Sequence, residues 1–333
     1  MCKKPRILVV GSFVMDIIAT TERVPASGQA VYGKEFHMVP GGKGANQALQ
    51  CARLGANVTM FGCVGDDIFG SLLLDPLRMA GVDISHVIVR RGATSGVGHI
   101  TLEVTESSAQ NRIIVIPGAN TSLTVEETAW LKDEITSYDM VMLQLEVPLA
   151  VNLAVARMAH AAGIPVMLNP APATELSDEL LQYVTYLTPN EQEASAETGL
   201  PLRKENGVLH DGDLRQIATA LWNKGVENTV ITLGENGSAL VTGPESLRYV
   251  PCVKMPFVAD PTAAGDSYVA ALTVGLAAGL EQMQALMLAS HAAAITVSRM
   301  GAMPSLPCLD EVIALLEERN CEEIPVSTLL ELH

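Results

Sequence analysis

The chain has 333 residues, of which 48% are hydrophobic and 17% charged, a composition that excludes a disordered chain and provides for one large α/β domain or two ordinary ones. Its formal net charge of −16 at pH 7 argues against a general nucleic-acid binder and against docking on anionic membranes. If the protein binds an anion such as a nucleotide, local backbone amides and metal ions must hold it, because the overall field of the chain repels it.

Apolar runs of strand length alternate with segments of helical periodicity along most of the chain. In chain order, the patterns predict a strand at 7–10, a helix at 44–54, a strand at 58–64, a helix at 68–80, a strand at 140–144, a helix at 149–162, strands at 165–168 and 184–187, helices at 191–198 and 214–224, a strand at 229–233, and two long helices at about 265–279 and 283–299. Fully apolar strands that alternate with helices are typical of a mostly parallel sheet covered on both faces. We therefore predict an α/β fold with three layers, in which a mostly parallel central sheet lies between two layers of helices.

Two regions, at about 18–39 and 97–116, interrupt this alternation with strand-like patterns and turn residues but no helices. Apolar and polar side chains alternate with a period of two along 97–104, and a second run at 112–116 follows a polar turn. We predict a small antiparallel β sheet here, set apart from the main sheet, that covers a site as a lid. Since no linker, repeat or low-complexity tract is present, we expect one domain over 1–333 with this lid inserted in it.

The cysteines and the start of the chain point to a cytoplasmic protein. Six cysteines are scattered with no CxxC pair and no zinc-ligand spacing, which is typical of reduced thiols. The apolar run at 7–10 is too short for a signal-peptide core, and the longest nearly uncharged stretches, such as 267–280, fall short of the roughly 20 residues of a membrane span. We expect a soluble cytoplasmic protein.

The most informative segment is DPTAAGDSY at residues 260–268, which leads into a long helix. The small residues Ala263, Ala264 and Gly265 allow backbone amides to approach a ligand, and the N-terminus of the helix behind them favours an anion. This arrangement predicts an anion site that needs no lysine. Asp266 lies in the first helical turn, where ordinary stabilisation of the helix start explains it equally well.

Three further segments contain candidate ligand-binding residues, each with a structural alternative. The segment PGGKGANQA at 40–48 has three glycines before a helix, but it matches neither a Walker A loop nor a dinucleotide fingerprint, and a tight turn explains it better. Asn190 and Glu193 share one face at the start of a helix and can hold Mg²⁺ through water, although a capping box is the preferred interpretation. The glycine turn at 231–237 follows a strand, where a ligand site and a plain hairpin fit equally.

Together and in this order, these segments resemble the ribokinase-like family of carbohydrate kinases. The resemblance extends from residue 7 to about residue 316, and further matching segments are GS at 11–12 with Asp16, MLQLE at 142–146, LNPAPA at 168–173 and GAMPS at 301–305. It implies the three-layer fold with a lid and an ATP-dependent sugar kinase. Such an enzyme transfers the γ-phosphate to the terminal hydroxymethyl oxygen of a pentose, ribose or 2-deoxyribose, and gives the 5-phosphate.

The resemblance also implies roles for individual residues. Asp266 would act as the base that takes the proton of the sugar hydroxyl, and the anion hole for the transferring phosphoryl group would consist of Ala263, Ala264 and Gly265. Positions that match the sugar site are Asp16, Gly42, Lys43, Asn46 and Glu146. Positions that match the nucleotide site, with Mg²⁺ near the first two, are Asn190, Glu193, Thr232, Gly234, Gly237 and Ser290. A potassium (K⁺) site would include Asp260, Thr262, Thr296, Gly301 and Ser305.

The sequence departs from the family pattern at one position of the sugar site. Val14 stands where members that act on ribose place an Asn, and an apolar side chain cannot replace that hydrogen bond. This favours a sugar with fewer hydroxyls, such as 2-deoxyribose, or a different pentose or hexose. A kinase of the same fold acting on a nucleoside or fructose, and a non-catalytic sugar-binding regulator, stay open as alternatives. Lids in the family often pair across two subunits, which implies a homodimer, and residues 320–333 extend beyond the family pattern.

Overall fold

The computed structural model describes residues 4–105, 109–205, 208–243 and 246–333. Within these ranges the strands are β1 Arg6–Val10, β2 Val14–Thr21, β3 Glu35–Gly41, β4 Asn57–Phe61, β5 Cys63–Gly65, β6 Ile88–Arg90, β7 Gly96–Val104, β8 Ala109–Ile116, β9 Met140–Gln144, β10 Val166–Asn169, β11 Tyr186–Leu187, β12 Lys204–Glu205, β13 Val208–Leu209, β14 Asn228–Thr232, β15 Ser238–Val241 and β16 Leu247–Val250. The α-helices are α1 Lys43–Arg53, α2 Ile68–Met79, α3 Leu131–Glu134, α4 Leu149–Ala161, α5 Asp178–Leu181, α6 Glu191–Thr198, α7 Asp211–Asn223, α8 Ala264–Ala277, α9 Gln282–Val297, α10 Leu309–Glu318 and α11 Val326–Leu330. No helix of the described residues is long and apolar enough to cross a bilayer.

Eight of these strands form the central sheet, in the order β16-β15-β14-β11-β10-β9-β1-β4. The strands from β14 to β4 run parallel to their neighbours, and the edge strands β15 and β16 pair antiparallel. The prediction of a mostly parallel sheet is confirmed. Because parallel strands end at the same edge of the sheet, their carboxyl ends meet at one side, where ligands bind in sheets of this kind.

Strand β1 shows why the sheet is covered on both faces. Ile7, Leu8, Val9 and Val10 are all fully buried, and alternate side chains enter different halves of the core. Ile7 and Val9 belong to the half that contains residues of α1, α8 and α9, whereas Leu8 and Val10 belong to the half that contains residues of α4 and α7. A strand that is apolar at consecutive positions is expected in the middle of three layers, and the predicted layers are confirmed.

The predicted strand at 58–64 is divided in two in the structure. Strand β4 ends at Phe61, and β5 begins at Cys63 and pairs with β6 instead of joining the central sheet. Gly62 lies at the break, where a Cβ would come within 2.5 Å of the carbonyl oxygen of Gly11. The close approach of these two backbone segments therefore ends the strand. The edge strands β15 and β16, of four residues each, were not predicted because such short runs give no clear periodicity.

The predicted lid is a four-stranded sheet in the order β3-β2-β7-β8. Its outer pairs, β2 with β3 and β7 with β8, are antiparallel as predicted, whereas the central pair of β2 and β7 is parallel. A parallel pair needs a long crossover, which the chain between β3 and β7 provides with α1 and α2. The first lid strand also begins earlier than predicted, at Val14 instead of residue 18.

The C-terminal segment from residue 320, for which no role was predicted, is part of the core. Leu329 and Leu332 are buried, and a Cβ at Gly55 would come within 2.5 Å of the carbonyl oxygen of Leu332. His333 Nε2 lies 3.1 Å from Oδ1 of Asp310 in α10. The segment therefore closes the core beside the turn that precedes β4.

Candidate active site

A cavity of about 250 Å³ opens at the carboxyl edge of the central sheet, against the N-terminus of α8. Asn169 ends β10, Thr188 follows β11 and Thr232 ends β14, so three parallel strands contribute to its wall. The lining residues are Lys43, Asn169, Ala171, Thr188, Asn190, Glu193, Thr232, Pro261, Ala263, Gly265, Asp266 and Val269. The four candidate segments of the sequence therefore meet at one cavity.

Asp266 lies in the first turn of α8, on the wall of the cavity, and is only 7% exposed. Its Oδ2 accepts a hydrogen bond from Nδ2 of Asn46 (2.9 Å), and its Oδ1 accepts one from Nε2 of Gln47 (3.0 Å). Both donors belong to α1, so a neighbouring helix holds the carboxylate. The contacts of Asp266 therefore differ from those of an ordinary capping residue, which bonds to the backbone of its own helix.

The N-terminus of α8 presents bare backbone to the cavity. Ala263, which precedes the helix, has a left-handed conformation (φ 60°, ψ 6°) and makes no side-chain cap. Apart from its chain neighbours and the backbone of its own helix, a Cβ at Gly265 would have no atom of the described residues within 4 Å, so the missing side chain leaves open space and serves no internal packing. The first N–H groups of a helix have no intrahelical partner and carry the positive end of its dipole. An anion therefore fits at Ala263, Ala264 and Gly265.

Lys43 brings a positive charge to a cavity whose other charged lining residues are Glu193 and Asp266. Burial alone would lower the pKa of the Lys43 ammonium, but three neighbouring carboxylates raise that pKa above its usual value. These carboxylates belong to Asp266, Glu146 and Glu193. The backbone N–H of Lys43 donates to Oε2 of Glu146 (3.0 Å), and the same oxygen accepts from the hydroxyl of Ser12. Lys43 is therefore a cation at neutral pH, and Glu146 is fixed at the start of α1.

Asp16 of β2 lies in a space that two glycines leave open. A Cβ at Gly98 would lie 2.3 Å from Oδ1 of Asp16, and a Cβ at Gly41 would lie 3.3 Å from its Oδ2. Burial, with the charge of Glu146 as a second cause, raises the pKa of Asp16 to about 6. The chain thus keeps a carboxyl group that is costly to ionise at a position predicted to bind the sugar.

Asp16→Asn is expected to stabilise the fold at pH 8 and to weaken sugar binding. Because the pKa of Asp16 lies above its ordinary value of 3.8, its ionised form destabilises the folded state. This cost is absent below about pH 4, grows as the pH rises, and is complete above about pH 6, at no more than about 3 kcal/mol. Thermal denaturation should show a gain at pH 8 and none at pH 4, together with a raised sugar KM. Equal gains at both pH values would contradict this account.

Gly42 and Gly44 serve a close crossing of two backbone segments. Gly42 has a φ of 95°, and its Cβ would lie 2.7 Å from the backbone nitrogen of Val14. A Cβ at Gly44 would lie 2.4 Å from the backbone nitrogen of Ser12. The absence of a side chain at these glycines therefore admits the turn between β1 and β2, and this crossing places the start of α1, with the backbone of Gly42, beside the site.

Asn190 and Glu193 form the capping box that opens α6. The N–H of Glu193 donates to Oδ1 of Asn190, and the N–H of Asn190 donates to Oε2 of Glu193, both at 2.8 Å. The structural alternative is therefore correct, and yet both residues also line the cavity. Burial raises the pKa of Glu193 and the charge of Asp266 adds to this, although the N–H of Asn190 and the charge of Lys43 oppose it. Such a carboxylate is suited to binding a cation in the cavity.

The remaining nucleotide-site positions lie in different surroundings. Thr232 lines the cavity, and Gly234 has a φ of 56° with no atom of the described ranges, its chain neighbours apart, within 4 Å of its Cβ position. A Cβ at Gly237, by contrast, would lie 2.1 Å from the carbonyl oxygen of Val250. Ser290 is buried in α9 and is not among the lining residues. Gly237 is therefore required by its turn, Gly234 leaves an open surface, and the structure does not bring Ser290 to the cavity wall.

The carboxylate of Asp260 links the loop before α8 to the turn after α9 by hydrogen bonds. Its Oδ1 accepts from the N–H of Thr262 and its Oδ2 from the N–H of Gly301, both at 2.9 Å. Burial would raise the pKa of Asp260, but these hydrogen bonds lower it below its usual value. Thr296, near the end of α9, and Ser305, in the turn that follows, carry fully buried hydroxyls. The positions predicted for potassium therefore come from the loop before α8, the end of α9 and the turn after α9, and they supply oxygen atoms.

Sequence reasoning missed three polar residues that organise the site. Ser12 donates to Glu146, Gln47 donates to Asp266, and Asn169 accepts from Gln47 at 3.2 Å. Ser12, Gln47 and Asn169 lie inside the motifs at 11–12, 40–48 and 168–173, but polar residues in segments that contain glycine or proline also occur in ordinary turns. What distinguishes Ser12, Gln47 and Asn169 is that they are buried, and a buried polar group requires a partner.

The N-terminus of α8 is suited to bind an anion, and the hydrogen-bonded carboxylate of Asp266 lies beside it. This combination is typical of an enzyme that transfers a phosphoryl group to a small molecule. The family model described as pfkB family carbohydrate kinase matches residues 4–309, and the chain belongs to this family. The family confirms the prediction of an ATP-dependent carbohydrate kinase.

Relatives match almost the whole chain. Ribokinase of Bacillus subtilis is 37% identical over 310 residues, which make up 93% of this chain and 99% of the relative. Ribokinase of Mus musculus is 32% identical over 307 residues, which make up 90% of this chain and 91% of the relative. The structure of Arabidopsis thaliana ribokinase complexed with ribose and ATP has a TM-score of 0.88 and 31% identity, and the match covers 95% of this chain and 99% of that chain. The predicted fold and family are confirmed.

Proposed function

We propose that this kinase transfers the γ-phosphate of ATP to the terminal hydroxymethyl oxygen of a pentose, ribose or 2-deoxyribose, and produces the 5-phosphate. The observation that carries the proposal is the Asp266 carboxylate, buried on the cavity wall at the N-terminus of α8. A base and an anion-binding site lie side by side there, as phosphoryl transfer to a hydroxyl requires. The ribokinase names of the relatives, and the ribose and ATP in the Arabidopsis complex, support the choice of substrates.

The groups of this chain have distinct roles in the proposed transfer. Asp266 accepts the proton of the sugar hydroxyl as the bond to phosphorus forms. The N–H groups at the start of α8 stabilise the charge on the phosphoryl oxygens, and their residues are Ala263, Ala264 and Gly265. The ammonium of Lys43 adds a positive charge in the same cavity.

The proposed sugar site lies beside the cavity, around the start of α1. Its residues are Asp16, Gly42, Lys43, Asn46 and Glu146. Oδ1 of Asn46 is buried without a hydrogen-bond partner in the described part of the chain, whereas Nδ2 of Asn46 donates to Oδ2 of Asp266. A buried oxygen of this kind is suited to accept a hydrogen bond from a sugar hydroxyl next to the base.

Two cations belong to the proposal, Mg²⁺ and K⁺. Asn190 and Glu193 supply oxygen atoms at the cavity that can hold Mg²⁺ through water, where the ion would neutralise phosphate charge. Nucleotide contacts are proposed for the same two residues and for Thr232, Gly234 and Gly237. The K⁺ site is proposed in the loops around Asp260, whose carboxylate, neighbouring carbonyls and hydroxyls are ligands that suit a hard cation.

Val14 is proposed to set the preference between ribose and 2-deoxyribose. It is 8% exposed and lies in β2 two residues before Asp16. Val14→Asn is expected to raise the kcat/KM for ribose relative to 2-deoxyribose about tenfold, because the amide supplies a hydrogen-bond partner that valine lacks. Val14→Ala, which adds no polar group, is the control and should leave the ratio unchanged. A ratio that Val14→Asn does not move would mean that this side chain does not face the sugar.

A coupled assay of ADP release tests the proposed function. With Mg-ATP and KCl present, it compares ribose, 2-deoxyribose, other pentoses, fructose and nucleosides as acceptors. Saturable turnover on ribose or 2-deoxyribose supports the proposal, and omission of KCl should lower it. Turnover on a nucleoside or fructose alone would show that this compound, and not a pentose, is the acceptor. If no acceptor is turned over while ATP still binds, a non-catalytic sugar-binding regulator is favoured.

A homodimer that forms through the lid is part of the proposal. Strand β8 lies at the edge of the lid sheet, and four apolar residues near its end are 48–64% exposed: Ile113, Ile114, Val115 and Ile116. An edge strand that is apolar and exposed is a surface that another chain can cover. Sedimentation equilibrium should give a dimer for the wild type and a monomer for Ile114→Glu; a wild-type monomer would exclude this part of the proposal.

The proposal also places the enzyme in the cytoplasm as one domain over 1–333 with the lid inserted. The five cysteines in the described ranges are free thiols, which fits a reducing compartment. Both halves of the core pack on the same central sheet, which supports a single unit.

A further inference from the structure

Two buried amide side chains, Asn169 and Gln47, connect a backbone carbonyl to the carboxylate of Asp266, and a third, Gln144, bonds to Gln47. Nδ2 of Asn169 donates to the carbonyl oxygen of Thr188 (2.9 Å), and Oδ1 of Asn169 accepts from Nε2 of Gln47 (3.2 Å). The same Nε2 donates to Oδ1 of Asp266 (3.0 Å), while Oε1 of Gln47 accepts from Nε2 of Gln144 (2.6 Å). Gln47 and Gln144 are fully buried. We refer to Gln144, Gln47 and Asn169 as the amide relay.

The two ends of the amide relay determine the orientation of the amides within it. The carbonyl of Thr188 can only accept, so Asn169 turns its NH₂ group toward it and its oxygen toward Gln47. Gln47 must then present its NH₂ group to Asn169, and that group also reaches the carboxylate of Asp266. The oxygen of Gln47 is left for the NH₂ group of Gln144. A reversed Gln47 amide would place its oxygen against two other oxygens, so the relay has one favourable arrangement.

We propose that Gln47 is a positioning residue for phosphoryl transfer and that Gln144 influences the reaction only through Gln47; this rests on the proposed function of Asp266 as the base. Gln47 holds one carboxylate oxygen and Asn46 holds the other, so the plane of the carboxylate is set by two donors. Neither amide N–H can take the hydroxyl proton, which therefore goes to the carboxylate. A displacement of about 1 Å from the reactive geometry can cost about 100-fold in rate.

The amide relay contains an unfavourable feature that stability alone does not explain. Oε1 of Gln144 is buried without a hydrogen-bond partner among the described residues. It lies against Gly11, where a Cβ would come within 2.0 Å of this oxygen. A buried unpaired oxygen is destabilising. The presence of an amide at position 144 is therefore better explained by the orientation it gives to Gln47 than by the stability of the fold.

Gln47→Met tests the proposal, because methionine has a similar length but cannot donate a hydrogen bond. We expect kcat to fall about 10- to 100-fold while the KM values for sugar and ATP change less than about threefold. Gln50→Met is the matched control, since Gln50 lies one turn further along α1 and is equally buried. It donates to the carbonyl of Pro307 (3.0 Å) and accepts from the hydroxyl of Ser267 (3.5 Å), with no hydrogen bond to Asp266 among the described residues. If Gln47→Met retains the kcat of Gln50→Met, the proposal is overturned.

Gln144→Met is an independent test, because the donor that it removes bonds to Gln47 and not to Asp266. It is expected to lower kcat with the KM values preserved. The double variant Gln47→Met/Gln144→Met should have the kcat of Gln47→Met alone, since the second change acts through a side chain that is already gone. Losses that multiply in the double variant would show that Gln144 acts by another route and would overturn the relay.

Asp266→Asn distinguishes a failure of this inference from a failure of the proposed function. If Asp266→Asn keeps near-normal turnover, the base is elsewhere and both proposals fail. If Asp266→Asn is inactive while Gln47→Met and Gln144→Met are fully active, Asp266 stands as the base and only the amide relay is rejected. Circular dichroism and ATP binding establish that each variant is folded before its kcat is compared.

Discussion

Asp266→Asn is expected to lower kcat by about 10²- to 10⁴-fold while sugar and ATP affinities stay within a few-fold of those of the wild type. The amide has nearly the shape of the carboxylate, but it cannot take the proton of the sugar hydroxyl. Asn46 and Gln47 each donate to one carboxylate oxygen, so an amide at position 266 offers them only one acceptor. The measurements are ADP release for kcat and isothermal titration calorimetry for both affinities.

Asp67→Asn is the matched control for this loss of turnover. Asp67 also lies at a helix N-terminus, where its side chain accepts from the N–H of Gly70 (2.9 Å) and caps α2. Like Asp266, it uses both carboxylate oxygens, since it also accepts from the N–H (2.8 Å) and the hydroxyl (2.7 Å) of Ser95, but it is not among the residues that line the cavity. Asparagine caps helices about as well as aspartate, so this variant should keep the wild-type kcat. If Asp266→Asn also kept it, the carboxylate at 266 would be a structural group, and the proposed mechanism would lose its base.

Much of the fold could be predicted from the sequence, because strands that are buried on both faces of a sheet are apolar at consecutive positions. The predicted strand at 140–144 and helix at 191–198 have the observed bounds of β9 and α6, since a fully apolar strand and a capped helix are both defined by local residues. The parallel pairing of β2 with β7 was not accessible. The alternation of side chains is the same in parallel and antiparallel pairs, and the direction depends on the crossover through α1 and α2.

The candidate site could be predicted from the sequence only where its residues form a continuous motif in the chain. Asp266 follows three small residues directly, so the anion site and the carboxylate could be predicted together. The contact between Gln47 and Asp266 joins residues that are 219 positions apart, and it exists because Gly42 and Gly44 seat α1 against the turn before β2. The glycine cluster is evident in the sequence, but the backbone crossing that requires Gly42 and Gly44 is a property of the folded chain.

Gly265→Ala is expected to leave the fold intact and to lower kcat about 100-fold. An added Cβ would have no described atom within 4 Å other than those of its chain neighbours and its own helix backbone. Alanine also favours a helix more than glycine does, so the melting temperature should not fall. The methyl group would instead occupy the open space at the N-terminus of α8, where the phosphoryl group has to approach the backbone N–H groups. Thermal denaturation and ADP release, measured on the same preparation, separate these two effects.

Gly212→Ala makes this comparison quantitative, because Gly212 holds the same place in α7, one residue after the first, as Gly265 holds in α8. Its added Cβ would meet the flexible His210 ring at 3.1 Å, away from the cavity lining. Gly212→Ala and Gly265→Ala therefore make a similar change to the start of a helix. Only Gly265→Ala places the added methyl group where the phosphoryl group is proposed to bind. If the two variants had the same kcat, the N-terminus of α8 would not be where the transferring phosphate binds, even with Asp266 retained as the base.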